Sequence, residues 1–505
     1  MTYDKNKSYS NNLNQLRLIV NLDSLHIFVS KRRRRTEMEE KMKQMIKTSL
    51  KDVKRNVIYP IYEEQMINQD IIDQMEYPLD DIVDKKLNAV TTIYTLGKYD
   101  FQTMTFIGLG SMNDIKTQKV REVAEKISKI IKESAILYGK DLDTDRISIH
   151  EFMKVFTESY MISSYEEVKR GHEQKHMIDL DIMSDEDIQK DIDMGRIYSE
   201  GINYARYLSD LPSNLMTPDN LVREALNLAE KYDLECTILD KQQLEEMGAG
   251  GLLSVNLGSH IPAYMICLKY HHADTPYHAI IGKGITFDSG GYNLKENSYG
   301  MKYDMCGAAD VLGIMRILAE KQVHANVYGI VPTTENLVSG KAYKPQDVIT
   351  TLSKKTVEIV STDAEGRLIL CDAITYAQQL GVSHIIDLAT LTGACVSALG
   401  DVYTGVFSNS DEFYHQFEKS MQMSDEKGWR LPVAPEYFQK LESSSADFKN
   451  SVGKPGGGAS VAANFLEAFV DEGVQWIHLD IAGTADDHGK GATGVMIRSI
   501  VNLYE

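Results

Sequence analysis

HAIIGKGITFDSGGYNLK, residues 278–295, carries the pattern from which the fold is read. An apolar run ends in Gly282, a lysine stands between two glycines, a second apolar run reaches Asp288, and Gly290 and Gly291 turn the chain. Short apolar runs bounded by glycine read as strands buried on both faces. Comparable runs lie at 235–240 (ECTILD), 263–270 (AYMICLKY), 325–331 (ANVYGIV), 357–362 (VEIVST), 383–389 (SHIIDLA) and 477–482 (IHLDIA). Helix-period stretches separate several of them, Ala308 to Lys321 and Leu368 to Leu380 among them. Strands alternating with helices predict an α/β domain with a central, mostly parallel sheet covered on both faces.

Toward the N-terminus the alternation continues. RLIVNL (17–22) and HIFVS (26–30) read as strands and Thr36 to Lys54 as a charged helix. TTIYTLG (91–97) and TMTFIGLG (103–110) read as strands, Val120 to Tyr138 as helical, and ISIHEF (147–152) as strand again. A smaller α/β domain is therefore expected over 1–185, ending in the acidic stretch 179–193. A linking helix, read from Gly195 to Leu211 and placed within 186–210, leads to the turn LPSNL and to Thr217-Pro218, a cap followed by proline at a first helical position. The larger α/β domain would occupy 211–505.

Composition sets outer bounds. At 505 residues, 43% of them hydrophobic, the chain has material for two or three folded domains. A net charge of −19 argues against a nucleic-acid partner. Five widely spaced cysteines without a CxxC pair point to free thiols in a reducing compartment. The polar N-terminus and the lack of any run near ~20 apolar residues predict a cytoplasmic address and no membrane partner.

Three segments concentrate unusual residues: Gly282 to Lys295, Met301 to Ala309, and Ser361 to Leu368. Lys283 follows one strand-like run and Asp363 another, while Asp304 and Arg367 each precede a helical one, so all could meet beyond the carboxyl ends of a parallel sheet. Buried carboxylates need paired charges or metal ions. Asp288, Asp304, Asp363 and Glu365 offer oxygen ligands suited to Mg, Mn or Zn, and are more than one catalytic ion usually takes; a two-ion site can share them.

These segments resemble the leucyl aminopeptidase (cytosol aminopeptidase) family of dinuclear metallopeptidases, peptidase family M17. STDAEGRL (361–368) is similar to the family's hallmark octapeptide, with Ser361 where the family begins with Asn; GKGITFDSGG and MKYDMCGAA match its other metal segments. LPSNLMTP (211–218), KAYKPQDVIT (341–350), DLATLTGA (387–394) and HLDIAGTA (478–485) extend the likeness over roughly 196–495. The resemblance implies two divalent metal ions per subunit, Zn or Mn with Mg or Co as alternatives. Asp288 and Glu365 would bridge them, Asp363 would complete one site, and Lys283, as a neutral amine, would complete the other with Asp304. It also implies Lys295 as the donor to the oxyanion, Arg367 as the holder of a bicarbonate general base, and Met301 and Thr390 as lining for an apolar first side chain such as Leu or Met. Peptides would be cleaved from their free N-terminus by a homo-hexamer. The Lys295–Asp304 loop is two residues shorter than the family's usual form, and GATGVMIRSI (491–500) lacks the Arg-Pro that commonly follows Thr-Gly.

Two motifs are discounted. His172 to His176 matches HExxH, but its basic, glycine-preceded setting is that of an exposed segment rather than a buried zinc helix. Lys31 to Arg35 reads as a solvated turn. Two other functions compete with an aminopeptidase: a dipeptidase or amidase on the same site, and a catalytically silent homologue serving as a binding protein. The second is disfavoured by the intact set of ligands and cations.

Overall fold

Buried apolar runs in the two halves of the chain build two separate large sheets in the computed structural model, which describes residues 42–46, 49–75, 78–167, 177–452, 456–487 and 491–505. In the first half, β1 (Gln44–Ile46), β2 (Asn56–Ile61), β3 (Val90–Tyr94), β4 (Thr103–Gly108), β5 (Ala135–Tyr138) and β6 (Leu180–Ser184) pair in the order β1-β6-β5-β2-β4-β3. All neighbours are parallel except β3 with β4. One face packs on two short helices, α1 (Gln69–Met75) and α2 (Leu79–Ile82); the other packs on the longer α3 (Thr117–Ile130) and α4 (Ile149–Ser163).

Several local expectations fail here. Val120 to Tyr138 is not one helix: the helical stripe Val120, Val123, Ala124 and Ile127 ends with α3, and the four residues of β5 are buried on both faces between β2 and β6. ISIHEF starts a helix, because Ser148 accepts a hydrogen bond from the Glu151 amide at 3.2 Å and caps α4. The described part of the charged 36–54 segment is β1 followed by a 3-10 turn at Leu50–Asp52, since pairing with β6 overrides helical propensity. RLIVNL, HIFVS, Lys31 to Arg35 and His172 to His176 lie outside the described residues. The helix expected from Gly195 begins earlier, as α5 (Gln189–Asp210).

Beyond α5, the mostly parallel sheet foreseen for the second half is present. The elements that follow are α6 (Pro218–Tyr232), β7 (Glu235–Leu239), α7 (Lys241–Met247), α8 (Gly250–Asn256), β8 (Tyr264–His271), β9 (His278–Gly282), β10 (Gly284–Asp288), α9 (Cys306–Lys321), β11 (Asn326–Asn336), β12 (Val348–Thr350), β13 (Thr356–Glu358), α10 (Gly366–Gln379), β14 (His384–Ala389), β15 (Thr404–Ser408), β16 (Gly428–Arg430), β17 (Phe448–Lys449) and β18 (Gln475–Asp480). Pro218 opens α6 as expected, although the Thr217 side chain makes no cap bond. The large sheet runs β16-β15-β18-β14-β9-β11-β8-β7, with β10 beside β11, and β12-β13-β17 form a small one. Its centre, β18-β14-β9-β11, is parallel; β15 pairs antiparallel with β18 on one side, β8 antiparallel with β11 on the other, and β7 antiparallel with β8 beyond it. Residues of α5, α6 and α9 pack on one face, and those of α8 and α10 on the other.

The two halves meet through a buried ion cluster. Glu158 of α4, with its side chain 3% exposed, lies 2.7 Å from Arg121 of α3 and 3.0 Å from Arg498 of the helix Ile497–Asn502. Burial alone would raise this carboxyl's pKa, but Arg121 and Arg498 outweigh it and hold it below the ordinary glutamate value. A carboxylate held low contributes stability in full above its ordinary value and loses it as pH falls through the depressed one. Glu158→Gln is therefore expected to destabilise the protein at neutral pH by on the order of 3 kcal/mol. Thermal unfolding should show that deficit shrinking in strong acid, where the wild type also loses the charge.

Candidate metal centre

The chain leaves β9 at Gly282, makes one residue of turn at Lys283, and re-enters the sheet as β10, which pairs with β11. The Lys283 amide donates to the Leu388 carbonyl of β14 at 3.0 Å, and its own carbonyl accepts from Ala308 of α9. The lysine is thus fixed at the carboxyl end of the sheet with its side chain 3% exposed. Its ammonium lies 2.8 Å from Asp304 Oδ1, 2.9 Å from Glu365 Oε1 and 3.0 Å from the Thr390 carbonyl. Gly366 is required beside it, because a Cβ there would stand 2.7 Å from Lys283 Cε and Nζ.

The second cation, Lys295, bridges Asp288, at 2.7 Å, and Asp363. Asp288 ends β10 and is held by the Asn336 side chain at 2.8 Å and the Gly290 amide at 2.9 Å. Gly290 takes φ +87°, a conformation that lets the amide fold back onto the carboxylate. Asp304 closes a 3-10 turn, Met301–Met305, and accepts from the Thr390 hydroxyl at 2.8 Å, while its Oδ2 is buried without a partner. Arg367 stands in the first turn of α10, two residues past Glu365, and donates from Nη1 to the Asn450 carbonyl at 2.7 Å; its Nε is buried without a partner. Thr390 thus joins the cluster directly, while Met301 is half-buried at the start of the turn that delivers Asp304.

Burial and crowding of like charge shape the electrostatics. Asp288 is pushed up to about 6 by burial and by Glu365, against the pull of Lys295 and Lys283. Asp304 is raised by burial, with Lys283 opposing. Glu365 stays below its usual range because Lys283 and Lys295 outweigh its burial. Burial lowers Arg367 to about 10 despite the attraction of Glu365 and Asp480, and it remains charged at neutral pH.

This arrangement fits divalent metal ions. Carboxylate oxygens of Asp288, Asp363 and Glu365 lie within 4.8 Å of one another, and Asp304 adds a buried oxygen that nothing satisfies. Four carboxylates face two ammonium groups and one guanidinium, so positive charge is still lacking. Each ammonium lies between two of the carboxylates. An all-oxygen set with one amine suits hard or borderline divalent cations.

The surrounding hydrogen bonds involve residues to which the sequence assigned no role. Thr362 donates to the Gly290 carbonyl at 2.6 Å, and its own carbonyl accepts from Asn336 at 3.0 Å and Tyr343 at 2.8 Å. Asn450 holds the backbone of Val360 and Ser361 as well as Arg367. Asp480, buried at the end of β18, accepts from the Leu391 amide at 3.2 Å and the Thr392 hydroxyl at 2.6 Å, and so fixes the loop that presents Thr390. Asp480 lies inside HLDIAGTA (478–485), so a carboxylate ending an apolar run was its available signal; Asn450 had none.

A family model described as the cytosol aminopeptidase family, catalytic domain, matches residues 203–501, more than half of the chain. Among solved structures, the chain is similar to one titled "Bottromycin maturation enzyme BotP in complex with Mn", at 26% identity and a TM-score of 0.80, covering 90% of this chain and 99% of that one.

Loosening the Thr390 loop should weaken metal binding without touching a ligand. Asp480→Asn is expected to raise the dissociation constant for Mn2+ by about 10- to 100-fold. Titration of metal-stripped protein measures it; unchanged affinity would mean that the loop keeps its place without Asp480.

Proposed function

We propose, from the premise that this chain belongs to the cytosol aminopeptidase family, that it removes apolar N-terminal residues, Leu and Met foremost, from peptides in the cytoplasm. It is a metallo-aminopeptidase, a hydrolase of peptide bonds that uses divalent metal. The observation that carries the reading is the cluster in which Lys283, Lys295 and four carboxylates, three of them buried, interlock.

In this reading two ions, Mn or Zn, would be held by Lys283, Asp288, Asp304, Asp363 and Glu365. When bound, the pair supplies Lewis acidity toward the scissile carbonyl and an activated nucleophile, and binds the substrate's free amine. The chain's own groups do the rest. Lys295, which here spans Asp288 and Asp363, becomes free to donate its N–H groups to the oxygen on which negative charge develops. Arg367 presents a planar, charged fork with an unsatisfied Nε, suited to a carbonate-like anion; bicarbonate held there would accept and return a proton. Thr390 orients Asp304 and, with Met301, would border the first side chain. A blocked amine forfeits a contact, which makes the enzyme an exopeptidase.

Five free cysteines, four of them buried, support the cytoplasmic part of the reading. No helix of the described residues is long and apolar enough to cross a membrane. We extend to the chain the family's homo-hexamer; sedimentation as a monomer would refute that assembly.

Metal-stripped protein should regain hydrolysis of leucine p-nitroanilide on addition of Mn2+ or Zn2+, whereas Asp363→Ala should not, and N-acetyl-leucine anilide should resist cleavage throughout. Lys295→Ala is expected to lower kcat by about 10²- to 10³-fold with little change in KM. A wild type inactive with every metal on a panel of free peptides would refute the peptidase reading.

A further inference from the structure

Asp304 sits in a short 3-10 turn, Met301–Met305, that follows an open loop in which Leu294 and Tyr299 are 65% and 93% exposed. Three residues complete one revolution of such a turn, so successive side chains project roughly 120° apart. Asp304 faces Lys283 and Thr390. The two residues before it reach another partner, Asp210, which ends α5. The Lys302 ammonium donates to the Asp210 carbonyl at 2.7 Å, and the Tyr303 hydroxyl donates to Asp210 Oδ1 at 3.3 Å.

Asp210 is buried, and its other contacts tie the turn to distant parts of the chain. Oδ1 also accepts from the Ala492 amide at 2.8 Å. Gly491 permits that approach: it takes φ +91°, and a Cβ there would stand 2.7 Å from the same oxygen. Oδ2 accepts from the Tyr165 hydroxyl at 2.8 Å. Tyr165 lies just past the end of α4, in the N-terminal half. The Arg206 guanidinium holds its ring in place, 4.2 Å from the centroid, while donating to the carbonyls of Ile162 at 2.8 Å and Ala492 at 2.7 Å. Two residues beyond Tyr165, Glu167 lies 3.0 Å from the Lys302 ammonium.

Two polar links therefore run from the N-terminal half to the turn, one from Tyr165 through Asp210 to Tyr303 and one from Glu167 to Lys302. We propose that Tyr165 and Glu167 are positioning residues for Asp304: they hold the turn where its carboxylate meets Lys283, and so set the affinity of the metal ion that takes Asp304. Without the Tyr165 hydroxyl, Asp210 Oδ2 loses its donor, and a buried acceptor left unsatisfied shifts toward water or another partner. Tyr303 is bonded to the same carboxylate and follows it. Resting on the reading of Asp304 as a metal ligand, this role is confined to one end of the cluster. Asp288, Asp363 and Glu365 converge within 4.8 Å without Asp304, and the turn carries none of them.

Metal affinity reports the effect without turnover. Full-length, metal-stripped protein would be titrated with Mn2+ and the free ion followed by its paramagnetic resonance signal. Asp304→Asn identifies the binding step that depends on Asp304. Tyr165→Phe is expected to weaken that step about threefold and Tyr165→Phe/Glu167→Gln about tenfold, with any other step unchanged within about twofold. Glu167→Gln, at a side chain 48% exposed, supplies the same test should the double variant fail to fold. Glu158→Gln cuts a different contact between the halves and should leave every step unchanged while lowering thermal stability. Wild-type affinity in the Tyr165 and Glu167 variants, weakening spread evenly over all steps, or an equal loss in Glu158→Gln would overturn the proposal. If Asp304→Asn changes no step, the ligand reading fails and the proposal with it. A clear effect of Asp304→Asn beside indifferent Tyr165 and Glu167 variants sinks the proposal alone.

Discussion

Three buried carboxylates, Asp288, Asp304 and Glu365, with the more exposed Asp363 beside them at one end of a parallel sheet, demand positive charge, and much of the catalytic half is arranged around that demand. Lys283 and Lys295 supply part of it, each ammonium shared by two acids drawn from different loops. Buried charges of one sign cannot be brought this close unless the backbone holds them against their repulsion. The parallel strands β9, β11 and β14 provide that rigidity, and the site sits where their carboxyl ends open.

A layer of neutral hydrogen bonds converts rigidity into position. Thr362, Asn293, Asn336 and Tyr343 lock the Asp288 turn to the Asp363 segment, and Asn450 ties that segment to Arg367. Asp480 does the same for the loop bearing Thr390. Below it, Asp387 accepts from Trp476 at 2.7 Å and pairs with His478 at 2.5 Å, so the polar side chains of β14 and β18 are bonded to one another inside the core. None of these groups needs to meet substrate; they fix the ones that do.

The N-terminal half uses the same architecture with different consequences. Its sheet is also mostly parallel, and among the described residues two short helices, α1 and α2, pack on one face. The Glu158 ion cluster joins this half to the helix Ile497–Asn502.

The sequence alone disclosed the parallel catalytic sheet and the segments bearing chemistry. Strands buried on both faces are written as continuous apolar runs, and carboxylates set among glycines between such runs need cations to balance them. Lys283, Asp288, Asp304, Asp363 and Glu365 stood out because they lie within short motifs. What only the tertiary structure decided were matters of partnership. Residues 135–138 became a strand because β2 and β6 flank them, and 44–46 because β6 does, against local helical pattern. Asn450 reaches Arg367 across 83 positions, and Asp480 reaches the Thr390 loop across 89. Periodicity records which residues are buried. It does not record which distant groups share a hydrogen bond, because that depends on how the finished elements pack.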